Sequence, residues 1–269
     1  MHWTSKFNSH VVESAILTTL TAGTPAHTKA ATWTEVIAST LAKTDMLILQ
    51  SEFGTANSRM LIDIGIGAAS SETTIISNLY DANEALTRGF VKFHMVPVSI
   101  PRGTRISVRS QASGASNTRA VALMCLSFGF VADWPTGVVA IGVDESTTSG
   151  TTIDPGSTAS TKGSYVELIA ATDRKIVGVR PVHCDRGNTA FDGDNTTRYD
   201  LAIGSAGNEQ IVWPDFVCRS INDYDAVHPD SHPWIPLTIP KGTRLSARAS
   251  SVDTNATDRL LDLIIYGLV

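Results

Sequence analysis

Histidines and acidic residues in the second half of the chain are the side chains best suited to metal chemistry. His228 and His232 flank an aspartate, and residues 183–185 read His-Cys-Asp. Imidazole, thiolate and carboxylate groups are the usual ligands of zinc. Proline follows both His228 and His232, however, which indicates an extended loop, and no further ligand has a recognised zinc spacing. The His228 loop is therefore expected to hold no metal.

A shorter acidic segment has the alternating oxygen ligands that open a calcium-binding loop. It begins at Asp192 and reads Asp-Gly-Asp-Asn. A loop of this kind closes with a glutamate, but the residue at that place is Ile203. We therefore expect a solvated turn. The sequence predicts neither a metal nor a cofactor.

Hydrolytic chemistry has no support in the sequence either. The chain contains no Gly-x-Ser-x-Gly motif, and nothing marks a serine as activated. Its most suggestive charged residues occur as matched pairs in the two halves of the chain, which is typical of structural residues. The pairs are Glu35 and Glu167, Glu72 and Glu209, Arg105 and Arg244, and Arg109 and Arg248. We expect the arginines to be partners of these acids on an outer sheet face, with a contact to another subunit as the alternative, and we expect no enzyme.

An internal repeat explains these matched pairs. The stretch from Val96 to Arg109 recurs from Ile235 to Arg248, with an Ile-Pro-x-Gly-Thr-Arg turn in each copy. Proline and glycine at these places favour a tight turn, and apolar residues alternate with polar ones on both sides of it. Further segments match in the same order, and the last match aligns Phe128-Gly129 with Tyr266-Gly267. The pattern predicts a duplicated domain.

Short alternating runs, separated by turn residues, indicate the fold class. We predict an all-β protein with two tandem, internally duplicated antiparallel β-sandwich domains of jelly-roll-like type and a short N-terminal arm or helix. The predicted organisation is an N-terminal arm over residues 1–20, a first sandwich over 21–132, a linker with a lead-in strand over 133–149, and a second sandwich over 150–269.

Composition narrows the range of partners. The 269 residues have a formal net charge of -5, and only 17% are charged, so the chain is not expected to bind nucleic acid through its phosphates. No apolar stretch approaches the ~20 residues that a membrane-spanning helix needs. The first residues lack the pattern of a secretory signal. We expect neither nucleic acid nor membrane as a partner, and synthesis in the cytoplasm of the host.

The cysteines also fit a protein of the cytoplasm. Cys125, Cys184 and Cys218 are odd in number, and none matches another in the repeat. A structural disulfide inherited by duplication would match. All three are expected to be buried free thiols.

The N-terminal arm contains the residues that we predict as an oligomer contact. Phe7, Val11, Val12 and Ile16 lie near helical spacing, although residues 10–17 could also form a strand. Either the segment belongs to the first domain, or it docks on another subunit. The second alternative predicts that the first domain and arm provide attachment to a larger assembly and that the second domain faces outward.

Aromatic residues in the second domain are candidates for receptor binding. Trp213, Tyr224 and Trp234 could stack on sugar rings of a host surface glycan, although an aromatic residue in a sandwich also suits the core. Two enlarged polar loops, over residues 185–197 and 222–233, would surround such a site. A glycan-binding or receptor-binding module is therefore the alternative to a purely structural protein.

The order of motifs resembles virion structural proteins of tailed bacteriophages and related gene-transfer particles. The motifs are Thr-Lys, then aromatic-x-Glu-x-Ile-Ala-x-Thr, then Asp63-Ile64-Gly65-Ile66-Gly67 with Ser71-Glu72, and finally Ile-Pro-x-Gly-Thr-Arg. The resemblance implies a β-sandwich building block of a head spike, decoration, neck or tail tip, without catalytic residues. It implies location in the virion, as a homo-oligomer that contacts other virion proteins.

Overall fold

The computed structural model describes residues 10–14, 17–54, 58–83, 92–129, 134–184, 195–220, 232–255 and 259–269. These residues form strands and connecting turns, with no helix among them. The strands are β1 (His10–Ser14), β2 (Thr18–Thr21), β3 (Thr34–Ile37), β4 (Thr44–Gly54), β5 (Ser58–Ile66), β6 (Thr73–Asn83), β7 (Lys92–Ile100), β8 (Ile106–Ala112), β9 (Thr118–Ser127), β10 (Val138–Ile141), β11 (Val143–Asp144), β12 (Ser149–Ile153), β13 (Val166–Ile169), β14 (Gly178–Cys184), β15 (Asn195–Ile203), β16 (Gln210–Ser220), β17 (Leu245–Ser251) and β18 (Leu261–Leu268).

Strands β1 to β9 build the first sandwich. One of its sheets has the order β2-β9-β4-β7, and β1 continues along the same edge of β9 as β2. The facing sheet has the order β3-β8-β5-β6. Strands that alternate between two packed four-stranded sheets in this way form a jelly roll. The predicted all-β fold class is confirmed.

Strands β10 to β18 repeat this arrangement. One sheet has the order β13-β17-β15-β16. In the other, β10 and β12 pair with one edge of β18, and β14 pairs with its opposite edge. On the far side of β14, Ile235 forms a single bridge with Val179 of β14, and Ile239 forms one with Ile176 just before β14. This segment has the place that β7 has beside β4 in the first sandwich. Strand order is thus the same in both halves.

The repeated turn directs apolar residues into each core. Val96 and Val98 are fully buried before the first turn, and Leu245 and Ala247 are fully buried after the second. The turn glycines Gly103 and Gly242 have φ angles of 79° and 81°, a region that suits glycine because it lacks a Cβ. The sequence pattern therefore predicts both the strands and the side of each strand that is buried.

The described part of the predicted N-terminal arm belongs to the first sandwich. His10–Ser14 and Thr18–Thr21 both pair with β9, and Leu20 is completely buried. The helix alternative is wrong for residues 10–14, because the β-branched pair Val11-Val12 favours an extended backbone that can complete the edge of a sheet. Residues 1–9 lie outside the described residues.

Strand pairing corrects the predicted alignment of the two closing strands. Leu20 of β2 pairs with Arg119 of β9. Ile153 of β12 is the counterpart of Leu20 in the second half, and it pairs with Leu261 of β18. Arg119 therefore corresponds to Leu261, and Met124 to Tyr266. The match of Phe128-Gly129 with Tyr266-Gly267 is wrong, because Phe128 lies beyond the end of β9 while Tyr266 lies within β18.

The two sandwiches share one continuous sheet and a common interface. Strand β10 pairs in parallel with β6 at Val138 and Ile76, which joins the β6 edge of the first sandwich to the second. The outward face of the β14 and β18 sheet packs into the apolar cluster of the first sandwich. Its residues in that cluster are Val182, Cys184, Ile264, Tyr266 and Leu268. The other face of the same sheet belongs to the second core.

The structure also bears on the predicted state of the cysteines and on membrane-spanning helices. Cys125, Cys184 and Cys218 are free and buried, which confirms the prediction. Within the described ranges there is no helix of sufficient length and apolar character to cross a lipid bilayer.

Candidate functional site

One arginine in each half holds two glutamates at the edge of its sheet. Arg105 donates to Glu35 at 2.6 Å and to Glu72 at 2.8 Å. The matching contacts join Arg244 to Glu167 at 2.6 Å and to Glu209 at 3.3 Å. The prediction that these arginines are partners of the paired glutamates is confirmed.

The second pair of arginines binds aspartates instead of glutamates. Asp63 accepts hydrogen bonds from Arg109 at 3.0 Å, from Lys29 at 2.7 Å and from the N–H of Asn78 at 2.9 Å. Asp200 accepts the same three from Arg248, Lys162 and the N–H of Asp215, at 2.9, 2.9 and 3.0 Å. The expected glutamate partners were wrong for Arg109, because Asp63 lies directly opposite it in the pairing of β5 with β8.

Asp200 and Glu72 are held in their charged form, which does not suit acid catalysis at neutral pH. Burial acts to raise the pKa of Asp200, but hydrogen bonds from the Asp215 N–H, Lys162 and Arg248 outweigh it and leave the pKa lowered. Glu72 also has a lowered pKa, because its hydrogen bond with Arg105 opposes the effect of burial. A general acid needs a raised pKa. Both networks therefore stabilise the fold.

The histidine and cysteine side chains that the structure describes in the second domain are not arranged as a metal site. His183 packs edge-on against Tyr199, whereas the adjacent Cys184 faces the first sandwich. Cys218 Sγ lies 3.4 Å from His232 Nε2, but burial raises the pKa of Cys218 to about 12, so this thiol stays protonated. The part of the chain that the structure describes contains no cluster of three metal-ligating side chains. His228 and Asp192 lie outside it.

The buried His183 predicts a specific dependence of stability on pH. Burial lowers its pKa to about 4, and the positive charge of His232 adds to this effect. In the unfolded chain the His183 imidazole is protonated below pH 6.5, whereas in the folded chain it is protonated only below about pH 4. The free energy of unfolding therefore falls as the pH decreases from 6.5 to 4. At pH 5 the loss is about 2 kcal/mol relative to pH 8.

The measurement is urea unfolding of the native protein and a His183→Phe variant at pH 5 and pH 8. The variant keeps an aromatic ring against Tyr199 and should lose about 2 kcal/mol less than the native protein over this range. An equal loss in the two proteins would contradict the assignment to His183.

The aromatic residues predicted for glycan binding do not form one site among the described residues. Trp213 packs on Phe216, with ring centroids 4.7 Å apart, and borders the second core. Trp234 lies at the junction of the two sandwiches, where its indole donates to the carbonyl oxygen of Met95 at 3.0 Å and Arg180 stacks on it at 4.8 Å. Tyr224 lies outside the described residues.

The predicted arm contact is described only in part. The backbone of Val11 and Val12 lies in β1, at the edge of the first sheet. Phe7 and Ile16 lie outside the described residues. A role of these four residues in oligomerisation stays a prediction.

An apolar sheet face on the first sandwich is the clearest candidate for an interaction surface. We call it the open face. Strand pairing sets its side chains in two cross-strand rows, which are Met95, Ile48 and Met124, and Pro97, Met46 and Leu126. Met95 is 45% exposed, and Met46, Ile48, Met124 and Leu126 are half-buried. A sheet face of this composition is typical of an interaction site.

The sequence prediction missed the open face, although one signal for it was present. Residues 46–49 read Met-Leu-Ile-Leu, so this strand is apolar on both of its faces. Leu47 and Leu49 fill the core, which leaves Met46 and Ile48 on the outside. Continuous apolar runs indicate a strand covered on both faces.

The fold defines the chain as an all-β protein of tandem jelly-roll sandwiches. A comparison with protein-family models found no match, and neither did a comparison with curated proteins.

Proposed function

We propose that this chain is a non-enzymatic structural component of a bacteriophage-like virion. In this function it assembles as a homo-oligomer and contacts other virion proteins, as the base of a head spike, a decoration protein, a neck protein or a tail-tip protein. The first domain attaches to the particle, and the second domain faces outward.

The observation that carries the proposal is the open face of the first sandwich. Ile48 and Met46 lie at the centre of its two apolar rows, and both side chains are only half-buried. Burial of apolar area contributes about 25 cal/mol per Å², so association through this face is favourable. A protein that works in an assembly explains such a surface.

The ionic networks are a second observation that supports a structural role. Asp63, Asp200 and Glu72 are all bound to cations of their own chain. Asp63 on β5 pairs with Arg109 on β8, and Asp200 on β15 pairs with Arg248 on β17, so these ion pairs join neighbouring strands. The most strongly organised polar groups are thus used to hold the sandwiches together and are not directed towards a substrate.

Receptor or glycan binding by the second domain is the alternative. Its predicted loops include residues 185–194 and 221–231, which lie outside the described residues. Of the aromatic candidates, Trp234 is engaged with Arg180 and Met95 inside the chain. The structural proposal therefore has the stronger support.

The decisive experiment is to separate particles from soluble protein in a culture that produces this chain. We expect the chain to sediment with the particles through a density gradient and to stay bound after a wash in high salt. Presence of the chain in the soluble fraction alone would overturn the proposed function. Salt resistance is expected if the contact with the particle is apolar, because apolar contacts are not screened by salt.

The contribution of the arm is tested by deleting residues 2–9. We expect particles without the truncated chain and an unchanged melting temperature of the purified protein. A deletion of residues 1–20 would be a poor test, because it removes β1 and the buried Leu20 from the first sandwich. Normal incorporation of the shorter deletion would defeat the assignment of attachment to the arm.

A further inference from the structure

The contact between the two sandwiches has two sides, and each side has a counterpart elsewhere in the chain. On the first sandwich, the β6 edge supplies Ile76, which pairs with Val138, and Ser77, whose hydroxyl accepts the Ala140 N–H at 3.3 Å. Tyr80, on the same strand, is 1% exposed. We call this side the covering edge.

On the second sandwich, the outward face of β14 and β18 lies under the covering edge. Arg180 and Tyr266 are both buried on this face, and Arg180 donates to the carbonyl oxygen of Met95 in β7 at 3.3 Å. The Tyr266 hydroxyl accepts the Tyr80 N–H at 2.6 Å and donates to the carbonyl oxygen of Asn78 at 3.2 Å. An apolar face of one sandwich is therefore covered by the edge of the other.

The counterpart of the covered face is the open face. Leu47 pairs with Cys125 in the first sandwich, and Val179 pairs with Gly267 at the matching place in the second. The next residues along β4 and β14, Ile48 and Arg180, therefore correspond. By the same alignment, Met124 and Leu126 correspond to Tyr266 and Leu268. The positions are equivalent in the two sandwiches, but those of the first are half-buried and those of the second are buried.

The counterpart of the covering edge is strand β16. Asn78 and Asp215 both donate their N–H to the matching aspartates and both have a positive φ, which aligns β6 with β16. Tyr80 then corresponds to Val217, which is 48% exposed. Among the described strands, β16 pairs with β15 alone, so its outer edge is available.

We propose that copies of this chain associate head to tail, with the β16 edge of one copy seated on the open face of the next. Each contact between chains reproduces the contact that joins the two sandwiches within a chain. The partner is therefore a second copy of this chain. The inference rests on one part of the proposed function, which is assembly as a homo-oligomer.

The backbone at the arm fits the same arrangement. Val11 pairs with Leu126 as Val138 pairs with Leu268, so β1 has the place in the first sandwich that β10 has in the second. Because β10 pairs with Ile76, the outer edge of β1 is placed to pair with the matching residue of a neighbouring β16, which is Trp213. Among the described strands, β1 pairs with β9 alone.

The contact within the chain and the proposed contact between chains differ in the side chains that form them. The polar Arg180 and Tyr266 of the internal contact are replaced on the open face by Ile48 and Met124, and Tyr80 is replaced by Val217. The contact between chains is thus apolar and smaller in side-chain volume. A head-to-tail contact uses two different surfaces, so it repeats from copy to copy and forms a ring when the rotation between copies closes.

The test uses one variant on each side of the contact. Val217→Asp changes the edge, Ile48→Asp changes the open face, and Val252→Asp is the control, because Val252 is 58% exposed and lies on neither surface. Light scattering after size exclusion should give an oligomer for the native chain and the control, and monomers for both other variants. Each variant should raise the dissociation constant by roughly 100-fold. Melting of the monomers checks that they are folded.

A cross-linking experiment identifies the pairing of surfaces. A double variant with Val217→Cys and Met124→Cys, treated with a short bis-maleimide, should give a ladder of covalent multimers on a denaturing gel. Its highest band counts the subunits in the ring. The native cysteines are buried, and each single variant should give no ladder.

The outcomes separate this inference from the proposed function. Cross-linked dimers of the single Met124→Cys variant would indicate that two open faces pair, which overturns the head-to-tail contact but leaves a homo-oligomer. An oligomer that persists in the Val217→Asp variant would also overturn the contact. A native chain that is monomeric at high concentration would contradict both proposals.

Discussion

Replacing Asp81 by alanine is expected to lower the free energy of unfolding by about 3–5 kcal/mol, the cost of leaving a buried charge unpaired. Asp81 Oδ2 lies 2.8 Å from Arg119 Nε in the core of the first sandwich, and each side chain is 1% exposed. Burial acts to raise the pKa of Asp81, but Arg119 and Lys92 outweigh it and the pKa is lowered. The pair is thus ionised at neutral pH, and urea unfolding measures its loss.

The second sandwich supplies the control for this prediction. The places of Asp81 and Arg119 are taken there by Cys218 and Leu261, an uncharged pair that is also buried. We expect a double variant, Asp81→Cys with Arg119→Leu, to lie within about 2 kcal/mol of the native protein, because an apolar pair of suitable volume can replace a buried ion pair. If the double variant is less stable than Asp81→Ala, the unpaired charge is not the cause.

The second large effect is a difference between two matching aspartates. We expect Asp63→Ala to cost about 3 kcal/mol and Asp200→Ala only about 1–2 kcal/mol. Both variants strand a lysine and an arginine. Lys162, however, keeps an ion pair with Asp215 at 3.0 Å, whereas the hydrogen bonds left to Lys29 go to two neutral oxygens, the Asn78 amide and the Leu61 carbonyl.

Differential scanning calorimetry of both variants compares the two halves of the chain directly. An Asp215→Asn substitution in the Asp200→Ala background removes the remaining acid and should bring the cost close to that of Asp63→Ala. Equal stabilities of the two alanine variants, with Asp215 intact, would contradict the explanation. Burial acts to lower the pKa of Lys29, which is consistent with a lysine that depends on its acidic partner.

Local patterns in the sequence predicted the strands and one of the two ionic networks. The alternation around Pro101 and Pro240 determines which side chains enter each core, because one face of each strand is buried. Glu35 and Arg105 were predicted as partners because both recur in the repeat. Arg109 was assigned the wrong kind of acid, since its partner depends on which residue of β5 lies opposite it. Sheet register of this kind is a long-range property.

The junction of the two sandwiches could not be predicted, for a different reason. Val182, Tyr266 and Leu268 are apolar or aromatic residues of the second half that complete the first core. Their alternation indicates a covered face but does not say what covers it. That depends on how two whole sandwiches pack, and the parallel pairing of Val138 with Ile76 has no local sequence signal.

Strand β18 has a consequence for synthesis on the ribosome. Leu261, Leu263 and Ile265 complete the second core, while Ile264, Tyr266 and Leu268 complete the apolar cluster of the first. Every other described strand precedes β18 in the chain. A nascent chain therefore has two unfinished cores, with apolar surface exposed, until β18 emerges. Chaperone binding should accordingly persist until that moment, and products that stop before residue 261 should be degraded.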